Sequence, residues 1–313
     1  MKILVLHSDI AADAPPEELD TLIAAEAVAK ALLARGHKAE QAPFRQETLS
    51  SLLARSAPDI VFNLVEGVNG QGRLAPIAPE MLAAEGARFT GATASAMALT
   101  NDKPFTKEKL RRAGLPTPDW AVTPDWNGLD GGKWIVKATL EDASLGLDDQ
   151  CVVEAAQVKA RAVQCAARFG GGWFAERYVE GREFNIAILD GRVLPMAEMR
   201  FDHWPQGKPR IVGYDAKWDE DSTGWHGTVR AFGVETEEPR LAEALKTSCE
   251  RVWDLFGLSG FARVDFRVDS EGTPLILEIN TNPCISPDAG FAAAAAAAGM
   301  SYEALIEAIV EAA

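Results

Sequence analysis

A predicted β-hairpin near the C-terminus, residues 263–280, constrains the fold of this chain more than any other feature. Its turn reads Asp-Ser-Glu-Gly and separates two runs rich in apolar residues. Successive strand side chains alternate between opposite faces, so a turn in which Val268 faces Thr273 sorts the hairpin into two faces. The predicted core face carries Val264, Phe266, Val268, Leu275, Leu277 and Ile279, and the polar face carries Arg263, Asp265, Glu278 and Asn280.

The polar face of this hairpin has two interpretations. A solvated outer face is the ordinary one for a hairpin. This face, however, has two carboxylates, an amide and an arginine in place of the lysine, threonine and serine common on wet strands. It also continues into a loop stiffened by Pro283 and Pro287. Three oxygen-bearing side chains on neighbouring strands are typical of a Mg²⁺ site, which commonly includes substrate phosphates, so this face predicts nucleotide chemistry.

Composition narrows the class of protein. A hydrophobic content of 47% and a charged content of 25% are ordinary for a globular enzyme. The net charge of −15 argues against a nucleic-acid partner, which would require a basic surface. No apolar run reaches the roughly 18 residues of a membrane span, and the N-terminus lacks a signal-peptide core. We therefore expect no membrane partner and a cytoplasmic location.

The four cysteines are widely spaced and form no CxxC pair, which predicts neither a zinc site nor a disulfide framework. Three are interpreted as packed small apolar residues. The fourth, Cys284, lies beside the loop that follows the hairpin.

The order of predicted elements divides the chain into three closely packed units. Residues 1–93 alternate strand and helix, which predicts a parallel sheet flanked by helices. Residues 94–182 and 183–313 are predicted to form two further units that combine helices and strands, and the last contains the hairpin.

A nucleotide site needs groups that bind phosphate, and the candidates are spread along the chain. No GxxxxGK[ST] motif is present, and the glycines of residues 67–72 do not match GxGxxG. Lys137 lies in the apolar strand WIVKA, where a buried ammonium needs an anion, unless it is an edge-strand lysine in water. Lys103 stands at a predicted helix start, which favours anions, although a surface lysine is the commoner case. Glu176 and Glu183 flank a strand–turn–strand; Glu183 could accept hydrogen bonds from ribose hydroxyls, or both could be exposed acids.

Taken together and in this order, these features resemble the ATP-grasp superfamily, specifically its D-alanine–D-alanine ligase branch. The matching stretches run in family order over nearly the whole chain: FNLVEGVNGQGR, FTGATASAMALTNDKPFTKEKLRRAGLPTPDW, WIVKATLEDASLGL, FAERYVEGREFNIAIL, YDAKW and FARVDFRVD…LILEINTNP. The resemblance implies an α/β (α+β) ATP-grasp fold, in which an N-terminal parallel α/β unit is followed by two mixed sheets that grip ATP.

The resemblance also implies which residues bind ATP. Phosphate contacts and the loop that closes over them are implied for Lys103, Lys137, Glu141 and Ser144. The adenine hinge is implied for Glu176, Arg177 and Val179, and ribose binding for Glu183.

Metal binding and catalysis are implied for residues of the hairpin and of a long loop. Asp265, Glu278 and Asn280 would hold two Mg²⁺ ions, with Mn²⁺ as an alternative. Lys217, in YDAKW, would contact the transferred phosphate, and Arg263 would stabilise the oxyanion of a tetrahedral intermediate.

The chain departs from the family pattern where the amino acids bind. Glu66 lies in the loop where the family has Leu-His-Gly, and Cys284 replaces a glycine. Ala289 replaces the serine that holds the second D-alanine's carboxylate, and the neighbouring Asp288 would repel a carboxylate and favour an amine or a basic group. The first substrate's amine requires an acid near the N-terminus, and Glu17, Glu18 and Asp20 remain alternatives.

The sequence therefore predicts an ATP-dependent carboxylate–amine ligase that forms a dipeptide-like amide through an acyl phosphate. Its predicted substrates are amino acids or dipeptide-like molecules. A genuine D-alanine–D-alanine ligase of peptidoglycan synthesis is one alternative, and a nucleotide-binding protein without ligase activity is another. Similar ligases are commonly dimers through the N-terminal unit, so a homodimer is a further expectation.

Overall fold

Three β-sheets organise the fold in the computed structural model, which describes residues 1–11, 14, 16–141, 144, 146–219 and 221–313. The first sheet has three parallel strands. The other two have six and four strands, and every pairing among their described strands is antiparallel. In this respect they differ from the mixed sheets that the resemblance implied.

The parallel sheet confirms the strand–helix alternation expected near the N-terminus. Its strands are β1 (Lys2–His7), β2 (Lys38–Pro43) and β3 (Ile60–Leu64), in the order β2-β1-β3. Its helices are α1 (Pro16–Ala34), α2 (Leu49–Ser56) and α3 (Ile77–Ala84). All five residues of β3 are buried, as expected for a parallel strand covered on both faces.

The four-stranded sheet follows two consecutive helices, α4 (Ala94–Asn101) and α5 (Lys103–Arg112). It contains β4 (Trp120–Val122), β5 (Lys133–Ala138), β6 (Val152–Glu154) and, after helix α6 (Val158–Phe169), β7 (Trp173–Arg177). The order β4-β7-β5-β6 places β5 and β7 side by side in the middle of the sheet. Lys137 and Glu176 therefore lie on neighbouring strands, on the same face and diagonal to each other.

The six-stranded sheet has the order β11-β10-β8-β12-β13, with β9 also paired to β8. Its strands are β8 (Arg182–Leu189), β9 (Arg192–Val193), β10 (Ala197–Arg200), β11 (Val229–Ala231), β12 (Phe261–Val268) and β13 (Pro274–Asn280). The helices of this part are α7 (Tyr214–Trp218), α8 (Thr223–Gly227), α9 (Val234–Glu237), α10 (Pro239–Phe256), α11 (Gly290–Ala297) and α12 (Tyr302–Glu311).

The β12–β13 hairpin confirms the predicted polar face but not the whole core face. Arg263 pairs with Asn280 and Asp265 with Glu278, whereas Phe266 pairs with Ile276. Leu277 is therefore the extra residue of a β-bulge, which breaks the strict alternation of β13.

The bulge corrects two of the predicted core positions. Ile276 is completely buried in the core, whereas Leu275 and Leu277 are only partly buried, and Leu277 faces a cavity. The prediction for these two leucines was wrong because it assumed one unbroken register and paired Val268 with Thr273, where the structure pairs Val268 with Pro274.

One hydrophobic core joins the N-terminal sheet to the C-terminal helices. It includes Ile3 and Val5 of β1, Phe261 of β12, Phe291 of α11 and Ile309 of α12. This core joins the three-stranded sheet to the six-stranded sheet, whereas the four-stranded sheet packs on a core of its own that includes Trp134 and Ala175. In the described part of the chain no single helix has the length and apolar character of a membrane span; α11 and α12 reach those limits only together, across a 100° bend.

Candidate active site

A cavity of about 740 Å³ is lined by strand residues of the four- and six-stranded sheets and by the loops that follow β1 and β3 of the three-stranded sheet. The residues to which a phosphate, nucleotide, metal or catalytic role was assigned all line it, together with Glu66, Cys284 and Asp288: Lys103, Lys137, Glu141, Ser144, Glu176, Arg177, Val179, Glu183, Lys217, Arg263, Asp265, Glu278 and Asn280. Residues that are up to about 220 positions apart in the chain are thus brought into one space.

Two lysines and one glutamate form a buried ion-pair cluster in one wall of the cavity. Nζ of Lys137 lies 2.8 Å from Oε1 of Glu176, and Oε2 of Glu176 forms a second ion pair with Lys107. The Lys107 and Glu176 side chains are 1% and 2% exposed. Burial alone raises the pKa of Glu176, but the two ammonium groups outweigh it and hold that pKa below its usual value. Glu176 is therefore a fixed negative charge that orients Lys137.

Lys107 was not singled out from the sequence, although a signal for it exists. It lies on the buried face of α5 together with Lys103, Thr106 and Leu110, at the i, i+3 and i+4 spacing of one helix face. Burial lowers the pKa of Lys107 to about 8. Its ammonium also donates to Oγ1 of Thr117, at 2.7 Å, so Lys107 is anchored to β7 and to the segment that precedes β4.

Glu278 is surrounded by cations. Burial raises its pKa, but Lys103, Lys137, Lys217 and Arg263 outweigh this and lower it to about 2. Burial, followed by the charge of Arg263, also lowers the pKa of Lys217. This end of the cavity therefore carries an excess of positive charge that suits a polyanionic ligand.

Arg263 and Asp265 form a bidentate ion pair beside Glu278. Nε and Nη2 of Arg263 each lie 2.8 Å from an oxygen of Asp265. Although burial opposes it, the carboxylate of Asp265 raises the pKa of Arg263 above its usual value. The guanidinium is thus permanently charged and fixed in orientation.

The donor set of the predicted metal site fits a hard cation. Among the described residues, no three His, Cys, Asp or Glu side chains come together as a metal cluster. Two carboxylates, of Asp265 and Glu278, and the amide of Asn280 nevertheless stand on adjoining strands, in line with the few protein ligands that Mg²⁺ takes beside phosphate oxygens. The depressed pKa keeps Glu278 ionised, as a ligand must be.

Arg267 is a second residue that sequence analysis missed. Its Nη2 lies 2.8 Å from Oε2 of Glu183, and the two side chains are 5% and 10% exposed. Burial raises the pKa of Glu183, and Arg267 acts against that effect. The alternation Arg263, Asp265, Arg267 along β12 was the available signal, since it places all three on one face.

The end of β7 and the segment after it line the cavity with Arg177 and Val179. The Arg177 side chain is engaged elsewhere: it stacks on the Trp134 ring at 4.4 Å and forms an ion pair with Asp130. The hydroxyl of Tyr178 accepts a 2.9 Å hydrogen bond from the backbone N–H of Arg210. Any contact of Arg177 with a ligand in the cavity would therefore be made by its backbone.

Two loops that were expected to close over phosphates are hydrogen-bonded to each other. Oγ of Ser144 donates to the carbonyl of Val212 at 3.2 Å, and the N–H of Tyr214 donates to the carbonyl of Leu147 at 2.9 Å. Tyr214 begins α7, the short helix that carries Lys217. Ala143, which precedes Ser144, lies outside the described residues.

Glu141 joins the first of these loops to the rest of the cavity. Its Oε2 accepts a 2.9 Å hydrogen bond from the N–H of Gly72, and its carbonyl accepts one of 2.8 Å from Lys103. The glycine-rich loop of residues 67–72, which does not match a dinucleotide motif, is thus part of the site.

The opposite end of the cavity is acidic. Asp20 accepts hydrogen bonds from Sγ of Cys284, at 2.9 Å, and Oγ of Ser286, at 3.0 Å. Burial, followed by the charge of Asp20, raises the pKa of Cys284, which keeps it a neutral thiol. Glu18 and Glu66 also line this end, whereas the side chain of Glu17 lies outside the described part of the structure.

Comparisons with known proteins agree with this arrangement. A family model described as the D-ala D-ala ligase C-terminus matches residues 133–311. The D-alanine–D-alanine ligase of Chromohalobacter salexigens is 33% identical over 297 residues, which cover 93% of this chain and 88% of that protein.

Two solved structures show the same fold. The D-alanine–D-alanine ligase of Bacillus anthracis complexed with ATP superposes with a TM-score of 0.78 at 19% identity, covering 100% of this chain and 97% of that one. The VanG D-Ala:D-Ser ligase of Enterococcus faecalis superposes with a TM-score of 0.72 at 15% identity, covering 99% and 98%.

Proposed function

The chain belongs to the D-alanine–D-alanine ligase family of the ATP-grasp superfamily, and on this basis we propose that it joins the carboxylate of one amino acid or dipeptide-like substrate to the amine of another. It is an ATP-dependent, ADP-forming ligase. The observation that carries the proposal is the meeting of Lys103, Lys137, Lys217 and Arg263 around one ionised glutamate in a single cavity.

The charges of the cavity suit the activation of a carboxylate. A carboxylate is a poor electrophile, and transfer of the γ-phosphoryl group converts it into an acyl phosphate. Lys103 and Lys137 would bind the ATP phosphates, and Lys217 would contact the transferred group. When an amine attacks the acyl phosphate, negative charge develops on the acyl oxygen, and the fixed guanidinium of Arg263 would stabilise it until inorganic phosphate leaves and the amide forms.

Mg²⁺ would be held by Asp265, Glu278 and Asn280 together with phosphate oxygens, as two ions, with Mn²⁺ as an alternative. When bound, the metal neutralises charge on the phosphoryl group that is transferred. The chain's own contribution is to keep Glu278 ionised and Asp265 fixed by Arg263.

The nucleoside would lie against the segment that follows β7. Glu183, oriented by Arg267, would accept hydrogen bonds from the ribose, and the backbone of Arg177 and Val179 would form the adenine hinge. Glu176 would act mainly on Lys137, because its carboxylate already has two ammonium partners.

The segments that carry Glu141, Ser144 and Lys217 would exclude water during the reaction. An acyl phosphate hydrolyses if water reaches it, so a closed cavity protects the intermediate. The hydrogen bond from Ser144 to the carbonyl of Val212 supports this role, because it joins the two segments to each other.

The acidic end of the cavity would bind the first substrate's amine. Asp20 and Glu18 are candidates for this role because both line the acidic end, and Glu66 adds negative charge beside them. Cys284 would contact the substrate as a neutral, apolar group. Asp288, exposed at the rim, would act on the second substrate and favour an amine or a basic side chain.

These departures lead us to propose a dipeptide-like product other than D-alanyl-D-alanine, with genuine D-alanine–D-alanine ligation as the alternative. One fold carries both a D-alanine–D-alanine ligase and a D-Ala:D-Ser ligase, so the fold alone does not select the second substrate.

The assembly of the chain is part of the proposal. We divide it into units 1–93, 94–182 and 183–313, and propose a cytoplasmic homodimer that contacts its partner through the N-terminal unit. The exposed apolar side chains of Leu22, Ile23 and Leu33 on α1 support this contact. The net charge of −15 gives no reason to propose a nucleic-acid partner.

The test is ADP release from ATP and Mg²⁺ across a panel of D- and L-amino acids and dipeptides, offered singly and in pairs. Release with D-alanine alone would favour the cell-wall alternative, and release with another pair would identify the substrates. Tight ATP binding by calorimetry with no ADP release from any pair would contradict ligase activity and favour a nucleotide-binding protein.

A further inference from the structure

Arg230, on the edge strand β11, projects into the cavity and has no anionic partner among the residues that the structure describes. Its strand position faces Met199 of β10, which also lines the cavity. A Cβ placed on Gly290 would lie 3.6 Å from both Nε and Nη2 of Arg230, so the guanidinium rests against the start of α11. Among the described residues, none forms a hydrogen bond or an ion pair with it.

The other arginines that line the cavity in the described chain all have a carboxylate. Arg263 pairs with Asp265, Arg267 with Glu183 and Arg177 with Asp130. Arg230 differs from them because no described carboxylate pairs with it. It is partly buried, and a buried charge is costly. Burial lowers the pKa of Arg230 most, and the charge of Arg263 lowers that pKa further. Asp288 acts in the opposite direction from the rim, but it lies beyond ion-pair distance.

The position of Arg230 separates it from the phosphate-binding end. Glu278 lies on β13 and Arg230 on β11, which are at opposite edges of the six-stranded sheet. Lys103, Lys137 and Lys217 act on Glu278, whereas the charges that act on Arg230 are those of Arg263 and Asp288.

We propose that Arg230 binds the carboxylate of the second, amine-donating substrate, so that the enzyme requires a free carboxylate on that substrate. This inference rests on the proposed ligase function. The first substrate's carboxylate is consumed in the reaction and its amine suits the acidic end at Asp20, whereas the second substrate keeps its carboxylate throughout. A planar guanidinium without a partner is well matched to that group.

Arg230 also explains how a carboxylate is tolerated beside Asp288. The negative charge of Asp288 would repel it, and the positive charge of Arg230, which interacts electrostatically with Asp288, would offset that repulsion. The α11 N-terminus adds a smaller favourable effect, because its N-cap residue, Ala289, offers the helix no side-chain hydrogen bond.

The test compares free amino acids with their carboxamides as second substrate, in full-length wild type, R230Q and R230K. The first substrate and the amino acid are those that give the highest ADP release in the panel. In wild type we expect the acid to be preferred over its carboxamide by at least about 10-fold in kcat/KM, as for a charge-assisted hydrogen bond. In R230Q that preference should fall to about 1–3-fold, through a rise in KM for the acid, and R230K should retain part of it.

Two controls keep the outcomes separate. R192Q removes an exposed arginine of β9 that lies outside the cavity, and it should behave as wild type. The KM for ATP and the midpoint of thermal unfolding check that R230Q retains its fold. If wild type is active and R230Q keeps the full preference for the acid, the role of Arg230 is refuted while the ligase function stands. If wild type releases no ADP with any pair, the ligase function fails, and the role of Arg230 with it.

Discussion

Nζ of Lys137 lies 2.8 Å from Oε1 of Glu176, and this ion pair allows an apolar strand to present a lysine to the cavity. The carboxylate is held in turn by the completely buried Lys107. An unpaired ammonium at either position would have to leave water without compensation. The position of Lys137, and with it the proposed phosphate contact, therefore depends on a glutamate that touches both lysines.

Removal of that glutamate charge should destabilise the fold. We expect E176Q to lower the free energy of unfolding by about 3–5 kcal/mol, because two buried or partly buried ammonium groups lose their anion. Urea unfolding measures the change, and E180Q, at a side chain that is 79% exposed, is the matched control. The double variant K107M/E176Q should lose less than the sum of the single changes. An E176Q protein as stable as wild type would show that the cluster contributes nothing to the fold.

Removal of the Glu278 carboxylate should abolish turnover. We expect E278Q to reduce Mg²⁺-dependent ADP release by about 1,000-fold or more, because a proposed metal ligand loses its charge. The change is measured by coupled ADP assay at saturating ATP. E271Q, at the exposed turn of the same hairpin, is the control and should be fully active. Turnover of E278Q at the wild-type rate would refute the metal assignment.

Glu278 should also make stability depend on acid pH. Burial raises its pKa, but the surrounding cations lower it to about 2, against 4.5 for the unfolded chain. Above pH 4.5 the carboxylate is ionised in both states, and the cations around it stabilise the fold. As the pH falls, the unfolded chain takes up the proton first, so this stabilisation is lost as the pH approaches 2.

The difference in unfolding free energy between wild type and E278Q isolates this effect. It should be largest near pH 6 and should shrink steadily as the pH falls below 4.5. Denaturant unfolding at several pH values measures it. A difference that does not change with pH would contradict the depressed pKa.

Arg267 should affect ATP binding through Glu183. In R267M the buried carboxylate of Glu183 loses its 2.8 Å partner, and the pKa that burial already raises should rise further. A protonated carboxyl is a weaker acceptor for ribose hydroxyls, so we expect the KM for ATP to rise about 10-fold with little change in kcat. R192M serves as control, since Arg192 is exposed and outside the cavity. An unchanged KM would mean that Arg267 does not orient Glu183.

Asp288 should influence which second substrate is accepted. We expect D288A to reduce the preference for second substrates with a basic side chain over neutral ones about 5-fold, because an attractive charge at the rim is removed. Ratios of kcat/KM across the substrate panel measure this preference. D254A, at an exposed position of α10, is the control. A substrate profile identical to wild type would exclude a role in selectivity.

Sequence alone predicted which residues of the site share a face wherever the local periodicity of a strand determines that face. Alternation along β12 was enough to place Arg263 and Asp265 on one face, and applied one step further it would have included Arg267. The same rule failed for Leu275, because a bulge interrupts the register and nothing in the local sequence identifies the bulged residue.

No such rule predicts that Arg230 lines the cavity. Its strand has only three residues, and neither its pairing with β10 nor its contact with Gly290 follows from any local pattern. Lys107 is an intermediate case. Helix periodicity places it on the buried face of α5, but periodicity does not predict its ion pair with Glu176.

The bulge at Leu277 divides β13 into a part that packs in the core and a part that faces the cavity. Before it, Ile276 is fixed by its fit to the core; after it, Glu278 and Asn280 are fixed by the charges of the cavity. An unbroken strand would tie these together, so that any slip of the hairpin turn would rotate the acidic residues into the apolar interior. Because of the extra residue, the residues of the turn and of the core-facing part of the strand can change between relatives while Glu278 and Asn280 still face the cavity.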